Sequence, residues 1–388
     1  MNETTTAAFE LPPVPPPLPP REARLTFTGR RSDFRRLVIR GTALELVTVG
    51  FYRFWLATDM RRHLWSNTAI EGDAAEYTGT AKELLIGFLF ALAILAPIYV
   101  AYFLIGLEAE RLKAFASLPL GVFFYLFAQF AVYRARRYRL TRTVWRGVRF
   151  WMSGSGVSYA WRAGLWLLAS IFSLGFAVPW AKASLERYKM RHTAYGDLPG
   201  SFVADGWSLF KKTWWLWLLF WPSLLILIPA PFIWAELKAL EWRWWIGGVR
   251  FGEVSFTAKL RNGALIDLYW KTIGWFLLVW LALSVWFGTV LGIAYATTHF
   301  AAGVKDEQKG AILMQKLPVL LGLGFGYILA ALTIGIIMRI YLMRDVWQRI
   351  TDSTTVQNLQ AADNVTAQGQ LVSALGEGFA DSLDIAGF

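Results

Sequence analysis

The sequence predicts a polytopic α-helical membrane protein, built from repeated helix-hairpin units joined by short cytoplasmic β-hairpins that form a sheet layer. Three observations carry this. First, 56% of the 388 residues are apolar and only 17% are charged. The apolar residues gather into runs near the ~20 residues that cross a bilayer: Leu84 to Leu107, Leu118 to Val132, Trp214 to Leu237, Thr272 to Thr298 and Leu317 to Tyr341. Second, a break of the form Thr/Ser-x-Gly-aromatic recurs at Thr48–Trp55 and Ser173–Trp180, with a weaker copy at Thr333–Ile340. An apolar run precedes each copy and a basic run follows it, which reads as an internal repeat. Third, glycine or asparagine turns stand between amphipathic segments, at Glu71-Gly72, Arg146-Gly147, Tyr195-Gly196, Gly247-Gly248 and Gln357-Asn358. Such residues supply the positive φ of tight β-hairpins.

In chain order, residues 1–23 are a proline-rich leader, predicted disordered and cytoplasmic, with no signal-peptide pattern. A single membrane domain follows over 24–366, in five units: 24–78, 79–155, 156–205, 206–260 and 261–366. In the first unit, Arg24–Gly29 reads as a strand without a hairpin partner nearby. An unpaired edge is a liability, so it is expected to pair with a strand of another unit. A helix over about 33–47 then meets the break, where Gly50 ends the helix and Trp55 opens the next. Basic residues flank both ends, so the pair reads as a re-entrant hairpin returning to the cytoplasmic side. The second unit holds two full spans, about 82–106 and 117–134. The third repeats the bent design, with Gly175, Pro179 and Trp180 at its break. The fourth has Pro222, Pro229 and Pro231 in its middle and is expected to bend likewise. The fifth holds spans near 270–298 and 318–345, with Gly335 as the third break. Residues 367–388 form an amphipathic tail that lies either on the membrane surface or against the strands.

The net charge of +12 fits the positive-inside bias of a bacterial inner-membrane protein. No polar basic domain exists to hold nucleic acid. The chain has no cysteine, so thiol chemistry is absent. His63, His192 and His299 lack ligand-spaced neighbours, and neither metal nor cofactor is expected. No nucleophile elbow, phosphate loop or zinc-protease motif occurs. The 21 tryptophans read as interfacial belts.

The candidate functional residues are Glu45 and Gln129, polar groups inside apolar runs, and Arg149 and Arg250, which occupy matching Gly-Val-Arg-Phe strands and could bind phosphate headgroups. An intramembrane acid faces either a pathway or a partner. For Glu45 the two readings are a titrating group in a transport path and an ion pair with Arg40 or Arg53. Repeats, broken helices and a buried acid recur in transporters. The expected function is therefore a non-enzymatic conduit or transporter in the inner membrane, multi-pass, with both termini cytoplasmic. The alternative is a scaffold or adaptor for a membrane partner. The oligomeric state is open.

The order of strand, helix, Thr-x-Gly-aromatic break, Trp55, basic helix and Glu71-Gly72 turn, with the Gly-Val-Arg-Phe strands and the ending Gly376-Glu-Gly-Phe-Ala-Asp-Ser-Leu-Asp, resembles the YjgN family of bacterial inner-membrane proteins. The resemblance implies location and fold and no activity. It implies a membrane-associated metallopeptidase as a partner beside the lipid bilayer.

Overall fold

A computed structural model describes residues 21–108, 113–226, 229–300 and 309–369. The leader and most of the tail fall outside these residues. Over the described residues one plan occurs five times: a strand, two antiparallel helices, a returning strand. The first unit is β1 (Ala23–Phe27), α1 (Arg31–Val47), α2 (Arg53–Ser66) and β2 (Thr68–Ile70). The second is β3 (Asp73–Ala74) and β4 (Glu76–Tyr77), then α3 (Ala81–Glu108), α4 (Lys113–Thr141) and β5 (Thr143–Trp145). The third is β6 (Val148–Met152), α5 (Gly156–Phe172), α6 (Val178–Arg191) and β7 (Thr193–Tyr195). The fourth is β8 (Leu198–Phe202), α7 (Gly206–Ile226), α8 (Ala230–Gly248) and β9 (Val249–Phe251). The fifth is β10 (Val254–Ala258), α9 (Ile266–Phe300) and α10 (Lys309–Ile337), a π-helical stretch Met338–Asp345, α11 (Val346–Ser353) and β11 (Thr354–Gln357).

Every neighbouring strand pair is antiparallel, in the order β3-β2-β1-β11-β10-β9-β8-β7-β6-β5-β4. The two ends of that order, β3 and β4, are separated in the chain only by Ala75. One kinked strand thus gives its first half to β2 and its second half to β5. Ala75 still donates its N–H to the Thr68 carbonyl at 3.0 Å. The sheet curls into a near-barrel, a closure that leaves little free edge. All strand-to-strand turns lie at one end of it and all helical hairpins at the other. The expected shared sheet is present, and β1 pairs across units as expected, with Ala23 opposite Val356 and Phe27 opposite Thr68.

The near-barrel is filled. Alternate strand residues point inward, as the period of two requires. Ala23, Trp145, Tyr195, Val254 and Val356 form its buried core, flanked by Phe150, Phe251 and Phe256. After β11 the chain does not form the hairpin expected at Gln357-Asn358. Asn358, at φ +58°, turns it into a 3₁₀ turn, Leu359–Ala362, whose two end residues are buried in the same core. The segment then reaches the far wall, where the Thr366 N–H donates to Asp197 Oδ1 at 3.1 Å. It covers the turn end of the ring.

The two expected breaks have the same geometry. Thr48 Oγ1 accepts from the Tyr52 N–H and Ser173 Oγ from the Ala177 N–H, both at 2.9 Å. Gly50 N–H donates to the Glu45 carbonyl and Gly175 N–H to the Ser170 carbonyl, both at 2.7 Å. Gly50 and Gly175 stand at φ +87° and +90°, which only glycine adopts without strain. The third break does not form: α10 runs unbroken through Gly335 and becomes π-helical three residues later. Ile336-Ile337-Met338 continues the helix there, where the other copies present an aromatic and then a basic helix. The fourth hairpin turn also shifts. Gly247 and Gly248 end α8, and the turn is made at Gly252, φ +54°.

Helix lengths sort the hairpins. α1, α2, α5 and α6 have 17, 14, 17 and 14 residues, which is roughly 21–26 Å and short of the ~30 Å hydrocarbon core. α3, α4, α9 and α10 have 28, 29, 35 and 29 residues, roughly 42–53 Å. Ala81–Phe103, Ile266–Ala296 and Leu317–Ser353 are long and apolar enough to cross a membrane, yet at most 17% of the most apolar part of each is buried. That surface needs an apolar neighbour outside the chain.

Candidate functional site

Glu45 lies 5% exposed on α1 and is held by Arg339 of the π-helical stretch. The guanidinium grips both carboxylate oxygens, at 2.9 and 3.1 Å, and also donates to Thr42 Oγ1 at 3.0 Å. Neither expected partner makes the ion pair, although Arg53 is near enough to feel the charge of Glu45. Arg40 is exposed, and Arg53 lies over the Phe54 and Phe88 rings. A fork-on-carboxylate pair is the strong, geometrically specific form of ion pair. Two further contacts join the same units. Arg31 pairs with Asp345 at 2.9 Å, and Arg344 donates to the Gly29 carbonyl at 2.6 Å while lying over the Phe27 ring. The first and last hairpins are thus tied together by charge. Arg339 and Arg344 escaped sequence reasoning because their partners lie about 300 residues away. The signal available was a run of arginines in a segment otherwise read as a span.

The other candidates do not converge. Gln129 is half-buried on α4. Arg149 donates to the Thr141 carbonyl at 2.6 Å and so anchors the C-terminus of α4, where a cation is favoured. Arg250 sits on β9 opposite Ser201 and Ser255. Strands β7 and β8 stand between the two arginines, so they do not form one headgroup site. Trp55 is part-exposed and stacked on Tyr52. Trp180 packs on Trp207 and Phe210. A Cβ on Gly206 would stand 2.6 Å from the Trp180 Cα, so glycine is what lets α7 start there. Pro179 lies in the first turn of α6, where its missing N–H costs nothing.

Two charged clusters were not anticipated. Glu186 on α6 binds Arg136 of α4, at 3.0 Å, and also Lys189. Burial opposes its ionisation, but the two cations outweigh it and hold the carboxyl at about 2. Between α6 and α8, Glu241 accepts from Lys182 through one oxygen and from Lys238, at 2.9 Å, through the other. These three residues line a cleft of about 100 Å³ whose walls include Trp217 and Trp234. Lys238 and Glu241 are three apart, neighbours on one helix face, and were legible as a pair. Lys182 was not. Burial, with Arg344 nearby, pushes the His63 pKa down, so at neutral pH that ring is uncharged. Among the described residues no cluster of three or more histidine and acidic side chains is placed to hold a metal.

A family model described as "Bacterial protein of unknown function (DUF898)" matches residues 22–241. No curated protein and no solved structure matches the chain.

Proposed function

Since the chain belongs to this family of bacterial proteins of unknown function, we propose that it acts in the membrane as a scaffold that holds a partner protein, with the strand ring on the cytoplasmic side. The observation that carries this is the filled ring: Tyr195, Phe150 and Trp145 occupy its interior and residues 358–369 cover its turn end. A conduit along that axis would have to pass through a close-packed core. Glu45, the acid that favoured transport, is committed to Arg339. The partner class that the resemblance to the YjgN family suggests is a membrane metallopeptidase. The test is co-expression with such a peptidase and tagged purification, together with a flux assay in liposomes. Stoichiometric copurification without protein-dependent release of potassium is the expected result. Protein-dependent flux without copurification would return the conduit.

In this arrangement the long hairpins cross the bilayer and the short ones dip into the cytoplasmic leaflet. The tips of the short hairpins are apolar and bare: Val49 is 86% exposed and Leu174 83%. The chain has no cysteine of its own, so single cysteines report cleanly. Cysteines at Gly72 and Glu253, both at strand turns, should resist a membrane-impermeant thiol reagent in intact cells. One placed in 301–308, between α9 and α10, should react. Labelling of Gly72→Cys or Glu253→Cys from outside would break the same-side arrangement.

A further inference from the structure

We propose that the cleft between α6, α7 and α8 binds the phosphate of an anionic phospholipid. This goes beyond the scaffold reading and does not depend on it. Lys182 and Lys238 share the single carboxylate of Glu241, so the cluster carries one surplus positive charge. Each ammonium has three donors and, among the described residues, spends them on Glu241 alone. The Thr213 hydroxyl in the same cleft already donates to the Leu209 carbonyl, at 2.9 Å. The space, about 100 Å³, suits a phosphate-sized group and is too small for an acyl chain.

Depth selects the source of that phosphate. Lys182 on α6 and Lys238 on α8 both stand roughly 14–15 Å above the strands, counted along their helices. Past them toward the tips the exposed side chains among the described residues are apolar: Phe172 and Leu174 are 85% and 83% exposed, and Leu225 is 88% exposed. On α7 Leu218 and Trp221 are 62% and 60% exposed. A charged head at one level with bare apolar surface beyond it is the complement of an amphiphile. Lys238 also lies over the Trp234 ring, 5.0 Å from its centroid, and an indole at that level suits the headgroup region. An Arg- or Lys-rich pocket at this depth is the expected recognition element for an anionic headgroup.

The experiment uses the full chain in a neutral detergent and measures binding of phosphatidylglycerol, phosphatidylcholine and inorganic phosphate. Phosphatidylglycerol is expected to bind, phosphatidylcholine to bind at least about tenfold more weakly, and Lys182→Gln or Lys238→Gln to weaken the phosphatidylglycerol complex about tenfold, as loss of a charge-assisted hydrogen bond does. Each single substitution leaves Glu241 paired with the remaining lysine; should either still prevent folding, the triple variant Lys182→Gln/Lys238→Gln/Glu241→Gln removes the surplus charge and strands no partner. It is expected to fold and to lose the preference for phosphatidylglycerol. Retention of that preference by the triple variant would overturn the proposal. Equal competition by inorganic phosphate would overturn the lipid as its source.

Discussion

Arg339→Ala is expected to destabilise the protein by about 3–5 kcal/mol, the usual cost of stranding one partner of a buried ion pair. Glu45 is 5% exposed and Arg339 12% exposed at the side chain, so solvent does little to screen the loss. Glu45→Gln should fall in the same direction, because it leaves the guanidinium with a neutral acceptor. Replacing both, as Glu45→Leu with Arg339→Met, should recover most of the stability, since an apolar pair of similar volume often does as well as a buried ion pair. Thermal unfolding of the four purified proteins in one detergent measures this. A Glu45→Gln variant as stable as the parent would show that the pair is not a brace, and would restore Glu45 as a group free to titrate.

Tyr195→Ala should be comparably severe, at about 3–5 kcal/mol for deleting a large buried aromatic. Tyr195 is 4% exposed, packs tilted with its ring centroid 4.7 Å from that of Phe150 and donates its hydroxyl to the Trp145 carbonyl at 2.9 Å. Its removal opens the middle of the ring and takes away the hydroxyl's bond to the Trp145 carbonyl. Tyr195→Phe removes only the hydroxyl and should cost about 1 kcal/mol or slightly more. The comparison separates packing from hydrogen bonding. If Tyr195→Ala unfolds no earlier than Tyr195→Phe, the interior of the ring is not the close-packed core described, and the argument against a central path fails with it.

Local features of this fold were legible in the sequence, and long-range ones were not. The bends at Gly50 and Gly175 could be read because a hydroxyl, a positive-φ glycine and an aromatic act within eight residues. The turns at Gly72 and Gly147 could be read for the same reason. Gly335 shows the limit: glycine permits a break, but the residues after it decide whether the helix stops. At Gly248 the error was one of register. The Gly-Val-Arg-Phe pattern reads as a strand opening with a turn, whereas its glycine closes α8 and the turn waits until Gly252. The kink at Ala75, the pairing of Ala23 with Val356 and the grip of Arg339 on Glu45 join residues whose proximity no local pattern encodes. The candidate site suffered most, because each charged cluster joins two helices of different hairpins and the Glu45–Arg339 pair joins opposite ends of the chain.

The pairing of β1 with β11 has a consequence for biosynthesis. Ala23 leaves the ribosome more than 300 residues ahead of its partner Val356, which at 5–20 residues per second is on the order of tens of seconds. Throughout that interval one side of the first strand has no mate, and Glu45 is made long before its arginine. The ring cannot be completed until β11 has been made. A nascent chain stalled before β11 is therefore an open-edged species, the form on which chaperones and quality-control proteases act.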